Sequence, residues 1–368
     1  MISVVIAILT ACSGRNVSTE TATSSEVSSE NVVTSSELTS ENASDDTEAV
    51  RDVFAMDTYM TLTAYGENAK EAVEAGIAEI QRLDALLSTG DANSEVAQIN
   101  QNGGGTLSED TDYLVKRALA IYQSTQGAFD ISIYPVMQLW GFTTGDFAVP
   151  SKEDLAAKLA LVNAGRISLT EDNGVSSITL PEGMEIDLGG IAKGYTSGRV
   201  MEVMKRYGIE SAVINLGGNA HVLGSKPDGS AWKVGIQDPN DTNGYLGGVS
   251  VRDKAIITSG GYERYFVDEA TGVKYHHIID PKTGYSANNG LISVTIVSAD
   301  STLADGLSTS LFVLGTEDAI AYCEEHCAED GFDAIMEDED GKLYITDGIM
   351  DDFINMNNTA NIQEIKTK

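Results

Sequence analysis

Residues 186–195 read I-D-L-G-G-I-A-K-G-Y, and their flanks set the expected fold. A short alternating run, S-I-T-L at 177–180, and a P-E-G turn at 181–183 come before them. A helical pattern over 196–207 follows, with Val200, Val203 and Met204 on one face. The stretch therefore predicts a strand feeding a glycine-rich bend at the start of a helix. Such a bend presents unpaired backbone N–H groups and favours anionic ligands. Gly189, Gly190 and Gly194 let backbone approach a ligand where a Cβ would clash. Asp187 and Lys193 set one anion and one cation at the two ends of the bend. An ordinary glycine-rich turn has the same spacing, and neither G-x-x-x-x-G-K-[ST] nor G-x-G-x-x-G is present.

Upstream, residues 54–65 (F-A-M-D-T-Y-M-T-L-T-A-Y) alternate and predict one strand. Helical spacing predicts helices over 68–87, 94–100, 108–125 with Ser108 as N-cap, and 151–162 capped by Ser151. Residues 127–133 form a glycine-bounded apolar segment. Downstream, strands are expected at 211–216, 233–237, 248–251, 255–258 and 291–298. A hairpin is expected from 262–267 and 274–279, helices over 301–314 and 316–328, and a late strand pair at 333–336 and 343–345. Strands outnumber crossover helices and cluster in the second half. That predicts an α+β fold of mixed, largely antiparallel sheets with packed helices, not a doubly wound parallel sheet. No internal repeat is visible.

The chain has 368 residues, enough for one large domain or two smaller ones, and 42% are apolar, enough for a core. Its net charge of −33 repels phosphate backbones and argues against nucleic acid as a partner. An anionic substrate would need a metal ion or a local basic group. Three cysteines exclude a disulfide scaffold. Residues 1–9 form an apolar run too short to span a bilayer, followed by L-T-A-C at 9–12, which resembles a bacterial lipobox with Cys12 as the expected lipidated residue. The basic residues usual ahead of such a run are missing, so a true start upstream of Met1 is an expectation. Residues 13–48 are rich in Ser, Thr and Glu and read as a solvated tether. The expected organisation is a signal segment over 1–12, the tether, and a catalytic domain over 49–368. It places the folded part on the extracytoplasmic side of a cell membrane, held by the lipid.

Asp305 and Thr309 stand four apart in A-D-G-L-S-T, on one face of a predicted helix. A carboxylate and a hydroxyl one turn apart suit a hard cation such as Mg²⁺; an Asp near a helix start, favoured by the dipole, has the same spacing. The run H-H-I-I-D-P-K-T-G at 276–284 ends a strand in a turn, and alternation sends His276 and His277 to opposite faces. An imidazole there can take a proton from an attacking hydroxyl or simply stabilise the turn. C-E-E-H-C at 323–327 has no second pair of ligands for zinc, and an i, i+4 pair is poor disulfide geometry.

Taken in order, eight segments resemble the ApbE family of FAD:protein FMN transferases. They are M-D-T (56–58), L-S-T-G-D-A-N-S-E-V-A-Q-I-N (87–100), G-A-F-D-I-S (127–132), I-D-L-G-G-I-A-K-G-Y (186–195), I-N-L-G-G-N (214–219), T-S-G-G-Y (258–262), H-I-I-D-P-K-T-G (277–284) and A-D-G-L-S-T (304–309). The likeness spans residues 56–315, about 70% of the chain. It implies FAD bound as substrate beside Mg²⁺, and transfer of the FMN half onto a Thr or Ser of an acceptor flavoprotein with a D-G-x-T-S-A-T-like segment, releasing AMP. It implies FAD contacts at Met56, Ala128, Phe129, Asp130, Asp187, Lys193 and Ile279. It implies metal ligands at Gly190, Asp305 and Thr309, with Asp305 and His277 serving catalysis and His277 as the base.

Three positions depart from the family pattern. Gly90 stands where a tyrosine is common, so one aromatic wall is missing or is supplied by another tyrosine. Asp57 replaces a glycine and adds a charge near the substrate. Ser308 replaces a second Asp, which implies looser metal binding. An FAD pyrophosphatase releasing FMN and AMP, and a passive FAD-binding lipoprotein, are the alternatives on the same scaffold.

Overall fold

The computed structural model describes residues 47–241, 243–356 and 361–368. Cys12, the apolar run before it and nearly all of the expected tether lie outside the described residues. Among the described residues no helix is long and apolar enough to cross a membrane.

The framework is a nine-stranded sheet whose spatial order is also its chain order. The strands are Glu48–Ala55, Thr58–Tyr65, Ser211–Leu216, Asn219–Gly224, Ala255–Gly260, Leu291–Ser298, Phe332–Asp338, Lys342–Thr346 and Asn361–Ile365. Each neighbouring pair is antiparallel except the last, which is parallel. The α+β expectation therefore holds. Among the described residues eight helices fill the connections: α1 Ala69–Leu87, α2 Glu95–Asn102, α3 Glu109–Ser124, α4 Tyr134–Trp140, α5 Lys152–Leu159, α6 Gly189–Arg206, α7 Ser301–Leu314 and α8 Thr316–Asp330.

Alternation along the central strands decides the layers. Ile257, Val294, Ile296, Ala334 and Met336 face the helices, where they join Leu303, Leu307 and Leu311 of α7. Their neighbours Ile256, Val297 and Ile335 face the other way, against Trp232, Val234 and Val249. Those residues belong to a small sheet of Trp232–Gln237, Tyr245–Val251 and Phe353–Asn355. A strand covered on both faces reads as a continuous apolar run, as L-I-S-V-T-I-V-S at 291–298 does. Helix α7 is buried nearly all round, between the sheet and α6. Asp300 caps it by accepting the Leu303 N–H at 3.0 Å.

The structure corrects several local expectations. Residues 54–65 are not one strand but the end of one, a turn, and all of the next. Met56 and Asp57 have φ of 49° and 57°, so both occupy the left-handed region that a two-residue hairpin turn demands. Asp tolerates that region but Met does not favour it, and the unbroken alternation on both sides hid the turn. The helix expected from 196 begins at Gly189, so the glycine bend is its first turn. Residues 127–133 run through a 3₁₀ turn, Ile131–Ile133, into α4. Sequence reading missed the short strands Gly104–Thr106, Ser168–Asp172, Phe353–Asn355 and Asn361–Ile365. It also missed Asn219–Gly224, hidden behind Gly217 and Gly218.

Candidate active site

The site is built where α6 crosses α7, and glycine makes that crossing possible. Gly190, Gly194 and Gly198 recur every four residues and so share one face of α6. A Cβ on Gly194 would lie 2.2 Å from the Ser301 carbonyl oxygen and 2.6 Å from Asp305 Cβ. One on Gly190 would lie 3.0 Å from the Phe129 ring. The close approach at Gly194 is therefore to α7, not directly to a ligand as the bare sequence suggests.

That approach places a backbone amide on a buried carboxylate. Asp305, 5% exposed, accepts the Gly194 N–H on Oδ2 at 2.7 Å and the Asn219 amide on Oδ1 at 3.1 Å. In a regular α-helix the Gly194 N–H would close on the Gly190 carbonyl. The other side of the Gly194 peptide is clamped as well. Its carbonyl accepts the Ser197 hydroxyl at 2.9 Å and the Ser301 hydroxyl at 2.6 Å. Ser197 pairs in turn with buried His221 Nδ1 at 3.0 Å. Burial pushes the Asp305 carboxyl up, while the Lys193 charge and the donors on both oxygens oppose that shift.

Thr309 stands one turn beyond Asp305, its hydroxyl 3.3 Å from Ser259 Oγ. Ser259 also meets Ser308 at 2.8 Å, and Ser308 donates to the Asp305 carbonyl. Ser308 is thus part of the scaffold behind the Asp305–Thr309 face. The oxygens on that face and in the first turn of α6 are one carboxylate, one hydroxyl and one carbonyl. Among the described residues no group of three or more His, Cys, Asp or Glu is arranged to hold a metal. A set with a single carboxylate fits Mg²⁺, which keeps waters and takes remaining oxygens from substrate phosphates.

Lys193 is the common positive neighbour. Its ammonium lowers the carboxyls of Asp187, Glu263 and Asp305 and disfavours protonation of His277. Asp187 accepts the Gly189 N–H at 2.7 Å and so ties itself to the start of α6; burial raises it. His277 directs both its backbone N–H and its ring Nδ1 at the Arg264 carbonyl, at 3.0 and 3.2 Å. A carbonyl only accepts, so Nδ1 carries the proton and Nε2 keeps the lone pair. Burial, then Arg264, His276 and Lys193, push the imidazole down to about 3. His276 turns away as alternation predicts, with Nε2 2.9 Å from the Ala287 carbonyl and its ring edge on Phe312.

The other expected contacts are spread around this centre. Met56 sits in the strained hairpin turn, its N–H on Asp84 Oδ1 at 3.1 Å and its sulfur facing Thr196. Phe129 covers Gly190. Ala128 lines a cleft of about 610 Å³ shared with Asp280, Lys282, Asn289 and Thr316. The Asp130 carboxylate is spent internally: it accepts the Ser132 N–H and hydroxyl and the Ala164 N–H. Ile279 is buried among Val136, Trp140, Phe142 and Leu155 and pairs with Ser286, so its side chain serves packing. Cys323 and Cys327 are buried in α8, and His326 stacks on Tyr322.

Sequence reading missed two members. Asn219 ends I-N-L-G-G-N, yet nothing local marks its amide as an Asp305 donor. Glu263 follows T-S-G-G-Y directly. Its carboxyl lies 3.8 Å from where a Gly218 Cβ would be, and burial, with Asp305 adding, pushes it up to about 7 against Lys193.

The ApbE family model matches residues 56–336. A FAD:protein FMN transferase of Klebsiella pneumoniae is 38% identical over 246 residues, 66% of this chain and 75% of that one. One of Treponema pallidum is 32% identical over 324 residues, 83% of this chain and 88% of that one. Among solved structures, the ApbE protein of Thermotoga maritima superposes with a TM-score of 0.75 at 31% identity, covering 82% of this chain and 97% of its own. Flavin transferase ApbE of Vibrio cholerae gives 0.70 at 30%, covering 81% and 96%. A clamped Asp305, an oxygen-lined face and a neutral His277 sit on this shared framework, and the chain belongs to the ApbE family.

Proposed function

We propose that this protein transfers the FMN half of FAD to a hydroxyl of an acceptor flavoprotein and releases AMP. The observation that carries the proposal is the convergence of His277, with a free Nε2, and the Asp305–Thr309 face on one lysine at the start of α6. The acceptor oxygen attacks the phosphorus that remains with FMN, and a phosphoester bond forms. The bond from that phosphorus to the bridging oxygen breaks, and AMP leaves with the electron pair. Nε2 of His277 takes the hydroxyl proton. Lys193 supplies the positive charge for the anionic substrate; the Gly189 N–H is held by Asp187, the Ile191 and Ala192 N–H groups by the Leu188 carbonyl, and the Gly194 N–H by Asp305. Asp305, Thr309 and the Gly190 carbonyl would hold Mg²⁺, which supplies neutralisation of charge on the phosphoryl oxygens. Met56, Phe129 and the backbone around Ala128 and Asp130 supply the walls of the substrate site, with Asp187 orienting its entrance.

EDTA tests this against passive binding. It should stop AMP release from FAD while leaving the family's ligand pocket folded; AMP release unchanged by EDTA would refute the Mg²⁺-dependent reaction. A pyrophosphatase reading is favoured by Gly90. A Cβ there would meet only Ser88 Oγ, at 3.8 Å, so the place of the usual aromatic wall is open to water. An acceptor D-G-x-T-S-A-T-like segment should close that opening.

The lipobox and the Ser/Thr-rich run support anchoring at Cys12, with the enzyme on the extracytoplasmic face of the membrane where electron-transfer flavoproteins present their hydroxyls. Cys12→Ala should release the full chain from the membrane fraction with its turnover intact. Retention of that variant in the membrane fraction would rule the anchor out.

A further inference from the structure

On the helix-facing sheet's outer end, three residues lie in a row across neighbouring strands: Gly260, Ser293 and Glu337, in register. Directly opposed residues of antiparallel strands project to the same face. Gly260 has no side chain, and the Tyr262 ring takes the space, since a Cβ on Gly260 would meet it at 2.2 Å. Ser293 and Glu337 are 1% and 4% exposed; Ser293 turns its hydroxyl to Tyr262, and Glu337 Oε2 has no hydrogen-bond partner among the described residues. A β-bulge between Leu291 and Ser293 opens the strand at this point.

The charge around this nest has one sign. Burial, Asp238 and Asp338 all push the Glu337 carboxyl up, to about 7, and nothing opposes them. Tyr262 is raised by burial and by Glu263, Glu337 and Asp238, against the Ser293 hydrogen bond, which lowers it. Asp238 Oδ1 is occupied by the Asn240 and Asp241 N–H groups of its own turn, at 2.8 and 3.3 Å. A buried carboxylate without a donor or a cation costs several kcal/mol, on the order of the penalty for an unpaired charge. An unpaired, buried Glu337 oxygen in register with Ser293, with the Asp238 charge acting on it, calls for a positive oxygen-seeking partner. An irregular set of two carboxylates and two hydroxyls suits Ca²⁺, which tolerates varied geometry and fills its shell with water.

We propose that this nest binds one divalent cation of the calcium type, held by Glu337 and Asp238 with Ser293 and Tyr262 beside it. It is distinct from the Asp305–Thr309 face. The cation braces Tyr262 and therefore the Glu263–Arg264 segment that follows it, whose carbonyl holds His277.

The test is calorimetric titration of the full chain with Ca²⁺ alone, together with thermal unfolding in Ca²⁺ and in EDTA. Wild type and Asp305→Ala should each bind one Ca²⁺ per chain and melt at higher temperature with it. Glu337→Gln should weaken binding at least ~10-fold, the scale for losing a site-defining group, and abolish the melting shift. Asp238→Asn keeps the turn's acceptor oxygen and should weaken binding likewise, so the test survives if Glu337→Gln does not fold. No Ca²⁺ heat at millimolar concentration, or binding lost in Asp305→Ala and kept in Glu337→Gln, overturns the proposal.

Discussion

Replacing Gly194 by alanine adds one methyl group at the crossing that builds the active site. That methyl would sit 2.2 Å from the Ser301 carbonyl oxygen and 2.6 Å from Asp305 Cβ. Neither neighbour is a flexible chain end, so α6 and α7 must separate by about 1 Å, an overpacking strain of ~1–3 kcal/mol. Separation also stretches the 2.7 Å bond from the Gly194 N–H to Asp305. A hydrogen bond to a charged group contributes about 1.5–3 kcal/mol. Alanine's better helix propensity returns about 1 kcal/mol. The net expectation is a destabilisation of ~1.5–5 kcal/mol from these terms. A catalytic carboxylate displaced by about 1 Å costs ~100-fold in turnover. Urea unfolding reads the first quantity, and AMP release from FAD with acceptor reads the second. Gly198→Ala is the comparator: its new methyl would meet only the Ser301 hydroxyl, at 3.0 Å, and should cost less than about 1 kcal/mol. If Gly194→Ala proves as stable and as active as Gly198→Ala, the helix crossing does not position Asp305.

Asp305→Ala removes the only carboxylate assigned to the metal face and should lower turnover at least ~100-fold, with FAD binding, followed by flavin fluorescence, weakened less. His277→Ala should suppress transfer yet still bind FAD. In the wild type, the imidazole at about 3 is neutral through the physiological range, and its lone pair is lost only as pH falls toward that value. The kcat/KM profile for FAD should therefore show no imidazole limb near the ordinary histidine pKa of about 6.5. Asp57→Gly relieves a left-handed φ of 57° and the charge that raises Asp84. It should gain about 0.5–1 kcal/mol in denaturant unfolding, the strain relief less glycine's entropy cost.

Apolar periodicity made the long elements legible. Residues 291–298 and 301–314 were bounded correctly because one is apolar on both faces and the other is capped by Asp300 and stopped by Gly315. The Met56–Asp57 turn was not legible, since its conformation is set by strand pairing on either side and not by residues that favour it. The spacing of Asp305 and Thr309 announced a shared helix face. What it could not announce was that Gly194, 111 positions earlier, would supply the amide that holds the carboxylate. Asn219 and Glu263 share that property: each acts through a partner far away in sequence. Asp130 shows the converse, because the family resemblance implied ligand contact there while the fold uses its carboxylate to tie Ser132 to Ala164.

Transfer and hydrolysis differ in the fate of FMN, and one experiment reads it. The protein is incubated with FAD, Mg²⁺ and an acceptor domain carrying a D-G-x-T-S-A-T-like segment. AMP is measured by chromatography, and the acceptor is read by flavin fluorescence on a denaturing gel. A transferase excludes water until the acceptor hydroxyl arrives, so AMP release should be slow without acceptor. With it, release should quicken and match a fluorescent acceptor band that disappears when the acceptor threonine is replaced by alanine. AMP and free FMN in equal amounts, with no fluorescent band, would contradict the transferase and identify a pyrophosphatase.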